Sequence, residues 1–520
     1  MLRTRAEASG YTETSLHADV MAFVAALAAK GDRRLHVTGF GWSPQGRELP
    51  LLVLSGRGVR TPAEARAAGL PVVLMLDGIH PGEVEGKEAS LALVRDMLDG
   101  VEKVGGDVLE KMVLLVAPLF NPDGGDALDP ANRRLDLKKL TGQPGPVVGT
   151  RTQSGGINLN RDYLRQDAPE MRLLQAGVCQ PWAPDLTIDN HATNGSVHRF
   201  HMTVDVPHTV ASGRREPIDF MRERVVPDVM RAVRGNHGFD SGWYGNFVED
   251  ERTMDAGGEV DGTGEVREGW MTYPHNPRFG SNYRGLTGRL DVLLECYSYL
   301  SFEERVATAR AWQVELLTWV AGNGDDVRQV VASSARPPDE VAVRYALEDF
   351  AEPVEVLTRN PRTLDGAPTS VRIPHRAKFV GTTVVSRPRA YAVPAPVAAH
   401  LARHGLRVDA PGASPASGGG SAGALVSASG TVYAAIARIE SLEREGGRGI
   451  LESASVGDLA VSWRTESRAL PPGYALVSTD QPLGAIAVYL CEPESDDGAV
   501  ENGLLSAPSP GDDYAIWRVH

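Results

Sequence analysis

VVLMLDGIHPGE, residues 72–83, is a short apolar run that passes at once into a polar, glycine-containing loop. Beyond the loop, apolar residues recur at helical spacing from about Val84 to Leu98. A brief apolar run of this kind, bounded by a loop and a helical pattern, is typical of a buried strand. The stretch therefore predicts a strand that leads directly into a helix.

The same arrangement recurs on both sides of this stretch. Short apolar runs that end at polar residues occur at Met112–Ala117, Leu186–Ile188 and Val292–Leu294. Helical patterns are found at Thr12–Ala29 and Phe302–Val320, and a hairpin is predicted from Leu35–Val37 and Leu49–Leu54. Strands that alternate with helices predict an α/β fold with a doubly wound, mostly parallel or mixed sheet, whose ligand crevice lies beyond the carboxyl ends of the strands.

The second part of the chain has a different pattern. Around Pro337 and Pro338 the sequence loosens into SSARPPDE, so we place a boundary between a domain at 1–335 and a smaller one at 340–520. The later segments rich in β-branched and aromatic residues predict a mainly β domain of unknown role. Its predicted strands are Ala377–Val385, Thr431–Ile436, Leu459–Trp463 and Ala485–Leu490.

Composition narrows the classes of function. The 520 residues carry 53 Lys and Arg against 67 Asp and Glu, a net charge of −14. Such a field repels phosphate backbones and anionic lipid, so we expect neither nucleic acid nor membrane as a partner. Three distant cysteines and the lack of a secretory signal or membrane span favour a cytoplasmic protein, although an exported form whose signal had been removed would look the same. Oligomeric state stays open.

Four polar residues lie at the same predicted rim of the sheet. His80 and Glu83 follow the strand at 72–76, His191 follows Leu186–Ile188, and Glu295 ends Val292–Leu294. Two imidazoles and one carboxylate with an open fourth position are the ligands of a catalytic zinc ion, and a further carboxylate can take the proton of the activated water. The pattern predicts one Zn²⁺ held by His80, Glu83 and His191, with Glu295 as the general base.

The same residues lie in motifs that resemble the M14 family of zinc carboxypeptidases. These motifs are GIHPGEVEG (78–86), NPDG (121–124), GINLNRDY (156–163), DNHATNG (189–195) and LLECYSY (293–299). They occur in the family's order across residues 12–320, and weaker likeness to large bacterial members with an added domain continues into the second part. The resemblance implies the zinc carboxypeptidase fold and assigns the same four residues to the metal and the base.

The resemblance also implies how a substrate is held. Asn160 and Arg161 match the family pair that binds a terminal carboxylate, a role suited to a guanidinium fork. Arg151 is the favoured oxyanion-stabilising residue and Arg134 is the alternative. Tyr273 matches the mobile tyrosine that closes over substrate, with Tyr283 as the alternative.

Taken together, these residues predict a metallocarboxypeptidase acting on peptides with a free C-terminus. One alternative is a zinc-dependent deacylase or amidohydrolase of a small acyl-amino acid, of the desuccinylase or aspartoacylase kind. It would use the same Arg161, so the NRDY motif does not separate the two. A second alternative, an inactive protein that binds peptide or glycan, is disfavoured because all four catalytic positions are filled. Side-chain specificity stays open. The acidic, glycine-rich stretch at 249–270 predicts a loop over the site.

Overall fold

The computed structural model describes residues 2–101, 108–193, 196–248, 269–359, 366–411, 425–427, 429–443 and 458–520. Residues 249–268 of the predicted loop lie outside these described residues.

Strands and helices alternate through the first part of the chain. Its strands are β1 (Leu35–Trp42), β2 (Glu48–Leu54), β3 (Val72–Leu76), β4 (Val113–Ala117), β5 (Leu128–Asp129), β6 (Val148–Gly149), β7 (Leu186–Ala192), β8 (Met202–Asp205), β9 (Ser241–Trp243), β10 (Asn246–Phe247), β11 (Trp270–Met271) and β12 (Leu290–Cys296). Its helices are α1 (Arg5–Ser9), α2 (His17–Ala28), α3 (Pro62–Ala68), α4 (Glu85–Asp99), α5 (Val108–Lys111), α6 (Pro122–Asp126), α7 (Pro169–Leu174), α8 (Gln180–Trp182), α9 (Arg215–Phe220), α10 (Val226–His237), α11 (Gly280–Leu286), α12 (Phe302–Gly322) and α13 (Gly324–Ser333).

 A single π-helical turn at Gln175–Cys179 joins α7 to α8, and a second one at Met221–Val225 joins α9 to α10.

Eight of these strands form one mixed sheet in the order β1-β2-β4-β3-β7-β12-β8-β9. The central strands β4, β3, β7 and β12 are parallel to one another, whereas β1 and β2 form an antiparallel hairpin at one edge. The carboxyl ends of β3, β7 and β12 therefore meet at one rim. This geometry confirms the predicted α/β class with a mostly parallel, mixed sheet.

Both faces of the sheet are buried, since alternate side chains of one strand enter different cores. On β3, Val73 and Met75 join a core with apolar residues of α2, α4, α10 and α12. Leu74 and Leu76 face the other core, which includes residues of α7 and α8. Tyr391 and Ile486 from the second part of the chain belong to that same core. The second part of the chain therefore helps to cover one face of the main sheet.

The second part is rich in strands, as predicted. Its strands are β13 (Glu340–Asp349), β14 (Val354–Thr358), β15 (Thr369–Ile373), β16 (His375–Ser386), β17 (Ala390–Pro394), β18 (Thr431–Glu443), β19 (Asp458–Ala469), β20 (Tyr474–Ser478) and β21 (Trp517–Val519). Its helices are α14 (Ala395–Arg403) and α15 (Gly484–Cys491). The predicted boundary falls between α13 and β13, and β16 pairs in parallel with β11 of the first part. The division into two domains stays a prediction.

One predicted strand is wrong. Ala485–Leu490 forms most of α15, and every residue from Gly484 to Cys491 is buried. A helix that is buried on all sides has a continuous apolar sequence without helical periodicity, so its sequence pattern cannot be told from that of a buried strand.

Among the described residues, no helix combines the length and the apolar character that a membrane crossing requires.

Candidate metal centre

A tight turn between β3 and α4 places His80 beside Glu83. The Glu83 N–H donates to the His80 carbonyl at 2.9 Å, and His80 Nδ1 lies 3.2 Å from Glu83 Oε1. The turn leaves no room for a side chain at Gly82, where a Cβ would lie 2.6 Å from Arg133 Cδ. The sequence H-P-G-E thus brings together two side chains that could bind a metal ion and lets an arginine approach them closely.

Strand pairing brings the distant residues to the same place. β7 and β12 are parallel neighbours, and Glu295 is the Cα partner of His191 in their register. Asp189, two residues before His191, pairs with Leu76 at the end of β3. His191 and Glu295 therefore lie side by side at the rim where the turn with His80 and Glu83 begins.

His80, Glu83 and His191 form one buried cluster. One ligand atom from each lies within 4.8 Å of the others, and His191 Nδ1 is 2.9 Å from Glu83 Oε2. Both histidines thus direct Nδ1 toward the same carboxylate. Two imidazole nitrogens and a carboxylate oxygen are a donor set that suits Zn²⁺.

An oxygen atom lies close to the outer nitrogen of each ring. His80 Nε2 is 3.1 Å from the Oδ1 of Asn158, and His191 Nε2 is 3.2 Å from the Oδ1 of Asp189. The His80 contact is a hydrogen bond to an amide oxygen, which can only accept, so it favours a proton on Nε2 of His80 and leaves the Nδ1 lone pair available to a metal ion. The His191 contact is an ion-pair distance without hydrogen-bond geometry.

Burial and neighbouring charges shift the pKa values of the cluster in different directions. At His191 burial opposes the charged form, but Asp189 and Glu83 outweigh it and raise the pKa well above its usual value. Burial lowers the pKa of His80 to about 3, and Arg151 acts in the same sense. For Glu83, burial opposes ionisation, but His80, His191 and Arg133 outweigh it and hold the pKa well below its usual value. A neutral imidazole and an ionised carboxylate are the states that bind metal.

Glu295 has the opposite shift. It is only partly exposed at the end of β12, and burial, reinforced by the negative charge of Glu83, raises the pKa of its carboxyl to about 8. A carboxyl group with such a pKa can take up and release a proton near neutral pH. Its environment is therefore compatible with the role of general base predicted from the sequence.

Two arginines approach the cluster. Arg133 Nη1 donates to Glu83 Oε1 at 3.0 Å, and its Nη2 donates to the Thr193 carbonyl at 2.6 Å. Arg151 Nη1 lies 3.6 Å from the same Glu83 oxygen, and its side chain is 37% exposed. Arg134, the alternative considered for oxyanion stabilisation, is exposed and does not join them. Sequence reasoning missed Arg133, because nothing in the sequence distinguishes it from the adjacent Arg134.

The residues predicted to bind a carboxylate lie next to the metal cluster. Asn160 and Arg161 form a short 3₁₀ turn that begins after Asn158, whose Oδ1 accepts from the Asn160 N–H at 3.0 Å. The same oxygen contacts His80. Arg161 Nη1 donates to the Asn160 carbonyl at 2.8 Å, and its guanidinium lies 3.9 Å from the centre of the Phe279 ring. Asn158 thus connects the turn with Asn160 and Arg161 to the cluster of His80, Glu83 and His191.

The two tyrosines considered from the sequence have other partners. The Tyr273 hydroxyl donates to the Val206 carbonyl at 3.1 Å, and the Tyr283 hydroxyl lies 2.8 Å from His404 Nδ1. Sequence reasoning missed Tyr244, which interacts electrostatically with Glu295. Burial raises the pKa of Tyr244, and the negative charge of Glu295 raises it further. No motif in the sequence distinguishes Tyr244 from other buried tyrosines.

An apolar wall lies beside Arg161, one of the two residues predicted to bind a carboxylate. Tyr273, Phe279 and Leu293 form one buried cluster, and Tyr244 packs against it. Leu293 lies two residues before Glu295 on β12, so both side chains point to the same face of the sheet. The space beside Arg161 is therefore bounded by aromatic and aliphatic groups.

Comparisons with known proteins agree with this chemistry. Residues 20–183 match the family model described as zinc carboxypeptidase, a range that includes His80, Glu83, Asn160 and Arg161 but not His191 or Glu295. The chain is 23% identical over 510 residues to carboxypeptidase 2 of Trichophyton rubrum, covering 93% of this chain and 82% of the relative. It is 22% identical over 501 residues to carboxypeptidase 2 of Trichophyton equinum, covering 92% and 81%. A solved metallo-carboxypeptidase from Burkholderia cenocepacia aligns with a TM-score of 0.41 at 17% identity, covering 58% of this chain and 68% of that one.

Proposed function

Because this chain belongs to the M14 family of zinc carboxypeptidases and is a metallocarboxypeptidase, we propose that it removes single residues from the free C-terminus of peptides. The observation that carries the proposal is the link through Asn158, whose side-chain oxygen contacts both His80 and the N–H of Asn160. A carboxylate bound at Asn160 and Arg161 would place the preceding peptide bond near the metal cluster.

His80, Glu83 and His191 would hold one zinc ion. When bound, zinc lowers the pKa of a coordinated water and polarises a carbonyl group. In the proposed mechanism Glu295 takes a proton from the attacking water and returns it to the leaving amine. Its position beside His191 on the neighbouring strand supports this role.

Arg151 would stabilise negative charge on the scissile carbonyl oxygen. Its partial exposure beside Glu83 supports contact with substrate, whereas Arg133 is held by the carbonyl of Thr193. Asn160 and Arg161 would bind the terminal carboxylate, and a guanidinium suits that group because it donates two parallel hydrogen bonds. The apolar wall of Tyr273, Phe279 and Leu293 favours an apolar side chain at the terminal residue.

The test is a peptide mixture in which half of the C-termini are free and half are amidated, incubated with the purified protein and analysed by mass spectrometry. We expect loss of single residues from the free peptides alone, faster for apolar than for charged termini, and abolished by a zinc chelator. The matched control is protein treated with chelator and then supplied with zinc, which should recover activity.

Equal cleavage of amidated and free peptides would contradict the role of Asn160 and Arg161. If zinc-loaded protein cleaves no peptide but hydrolyses a small N-acyl-amino acid, the reaction is deacylation instead. A cytoplasmic location stays a prediction.

A further inference from the structure

The second part of the chain reaches the segment that follows Tyr273. Arg278 and Asp497 form an ion pair whose side chains are 1% and 0% exposed. Arg278 donates from Nε and Nη2 to Asp497 Oδ1 at 3.0 and 2.6 Å, and its backbone N–H donates to Oδ2 at 3.0 Å. One carboxylate therefore fixes both the side chain and the main chain of Arg278.

Asp497 is itself held in place. Asn502 Nδ2 donates to Asp497 Oδ1 at 3.0 Å and to the Asp497 carbonyl at 2.7 Å. The adjacent Asp496 contacts the same segment, since its Oδ2 is 2.7 Å from His275 Nε2. The carboxylate thus belongs to a rigid corner of the second part rather than to a mobile surface chain.

The residues fixed in this way contact the carboxylate-binding pair directly. Phe279 places its ring 3.9 Å from the Arg161 guanidinium, and the Gly280 N–H donates to Asn160 Oδ1 at 2.9 Å. The Arg278 carbonyl accepts from the Tyr163 N–H at 3.3 Å. Three consecutive residues, 278–280, therefore support the 3₁₀ turn that carries Asn160 and Arg161.

We propose that Asp497 is a positioning residue for substrate: through Arg278, Phe279 and Gly280 it sets the orientation of Asn160 and Arg161, so the second part of the chain completes the carboxylate site. The inference rests on the proposed function for the roles of Asn160 and Arg161. A buried guanidinium that loses its carboxylate must move or recruit water, and the main chain of residues 278–280 would move with it. A displacement of about 1 Å at a binding group can cost about 100-fold in rate.

The test compares Asp497→Asn with Glu492→Gln in the full-length, zinc-loaded protein. Glu492 is a matched control because it is also a buried carboxylate in the second part, and it pairs with Arg518 at 2.5 Å rather than with the segment 278–280. For Asp497→Asn we expect KM for free C-terminal peptides to rise by about 10-fold or more, with kcat changed by less than about 3-fold and zinc content unchanged. Glu492→Gln should leave KM unchanged.

Asp497→Glu serves as the second variant, since it retains the charge and should raise KM less than Asp497→Asn does. If Asp497→Asn does not fold, the KM of Asp497→Glu tests the inference instead. A KM equal to that of the unaltered protein in the folded variant, or an equal rise in Glu492→Gln, would overturn the inference.

Binding of 3-phenylpropanoate, a monocarboxylate with an apolar group, separates this inference from the proposed function. Calorimetry should show about 10-fold weaker binding in Asp497→Asn than in Glu492→Gln. If the unaltered protein cleaves no peptide but this difference is found, the proposed function fails and the positioning role stands. If the unaltered protein cleaves peptides and the two variants bind the probe equally, the positioning role fails alone. If the unaltered protein neither cleaves peptides nor binds the probe, both fail.

Discussion

Two buried clusters of charge connect to Asn160 and Arg161, and they differ in how charge is balanced. In the metal cluster, burial lowers the pKa of His80 to about 3 and raises the pKa of Glu295 to about 8. In the other cluster, burial opposes the charge of Arg278, but Asp497 outweighs it and raises the pKa of the guanidinium. The first cluster thus contains groups whose pKa values are shifted far from their usual values. The second contains a pair of opposite charges that stabilise each other.

This difference distinguishes groups that could take part in a reaction from groups that fix the geometry of their neighbours. A carboxyl group whose pKa is raised toward neutrality, such as Glu295, can exchange protons, and a histidine kept neutral by a lowered pKa, such as His80, can bind a cation. Groups with shifted pKa values concentrate at functional sites. A buried pair with several hydrogen bonds fixes geometry, because breaking it leaves an uncompensated charge. Substitutions in the metal cluster should therefore change turnover at little cost in stability, and substitutions around the interface of the two parts should act on binding and stability.

The largest effect is expected at Glu295. Glu295→Gln should retain zinc and lower kcat by about 1,000-fold, because general acid–base groups contribute about 100- to 10,000-fold. Steady-state kinetics and metal analysis on the same sample check both parts. Glu170→Gln is the control, since Glu170 is buried and burial also raises its pKa. Near-normal turnover in Glu295→Gln would remove Glu295 from the mechanism.

An intermediate effect is expected at Arg161. Arg161→Ala should raise KM for free C-terminal peptides by about 100-fold, since charge-assisted hydrogen bonds contribute about 1.5–3 kcal/mol each. The unfolding temperature should change little. Arg165→Ala is the comparison, because Arg165 is four residues away and pairs with Asp167. If both variants have the KM of the unaltered protein, the terminal carboxylate binds elsewhere.

The smallest effect concerns pH and the contact between the two parts. His400 and His404 direct Nε2 to the Leu164 carbonyl at 2.8 and 3.1 Å, and Arg403 Nη2 is 2.7 Å from His400 Nδ1. Burial lowers the pKa of His400 to about 4 and that of His404 well below its usual value. The unfolded chain takes up these protons near pH 6.5, whereas the folded chain protonates His400 only near pH 4 and His404 only well below pH 6.5, so stability should fall as pH drops below about 6.5.

We expect a loss of about 1–2 kcal/mol per histidine in the free energy of unfolding between pH 7 and pH 5.5. Denaturant titrations at each pH measure it. The variant His400→Gln/His404→Gln should have a flatter pH dependence of stability than the unaltered protein. A slope unchanged in the double variant would mean that other groups set the acid sensitivity.

Much of the fold could be predicted because the strands of the central sheet have short, continuous apolar sequences. Val72–Leu76 is a strand with the predicted bounds, and Leu186–Ile188 and Val292–Leu294 lie within β7 and β12. The same signal failed at Ala485–Leu490, which is a helix buried on all sides. Apolar runs report burial, and the type of element then depends on what surrounds them.

The residues of the candidate site likewise include some that the sequence could predict and some that it could not. His80, Glu83, His191 and Glu295 could be selected because residues at the carboxyl ends of parallel strands share one rim. Arg133 could not be distinguished from Arg134, and the hydroxyl partners of Tyr273 and Tyr283 depend on Val206 and His404. Such choices depend on a side chain's direction, which the spacing of residues along the chain does not fix.

The sequence by itself determined the α/β class and predicted four polar side chains at one rim of the sheet, because strands and local turns follow from patterns within short stretches. Only the tertiary structure decided that Asp497 holds Arg278, and through it the turn with Asn160 and Arg161. The physical reason is that a strand or turn forms from neighbouring residues, whereas an ion pair between distant segments depends on how two independently patterned parts of the chain pack together.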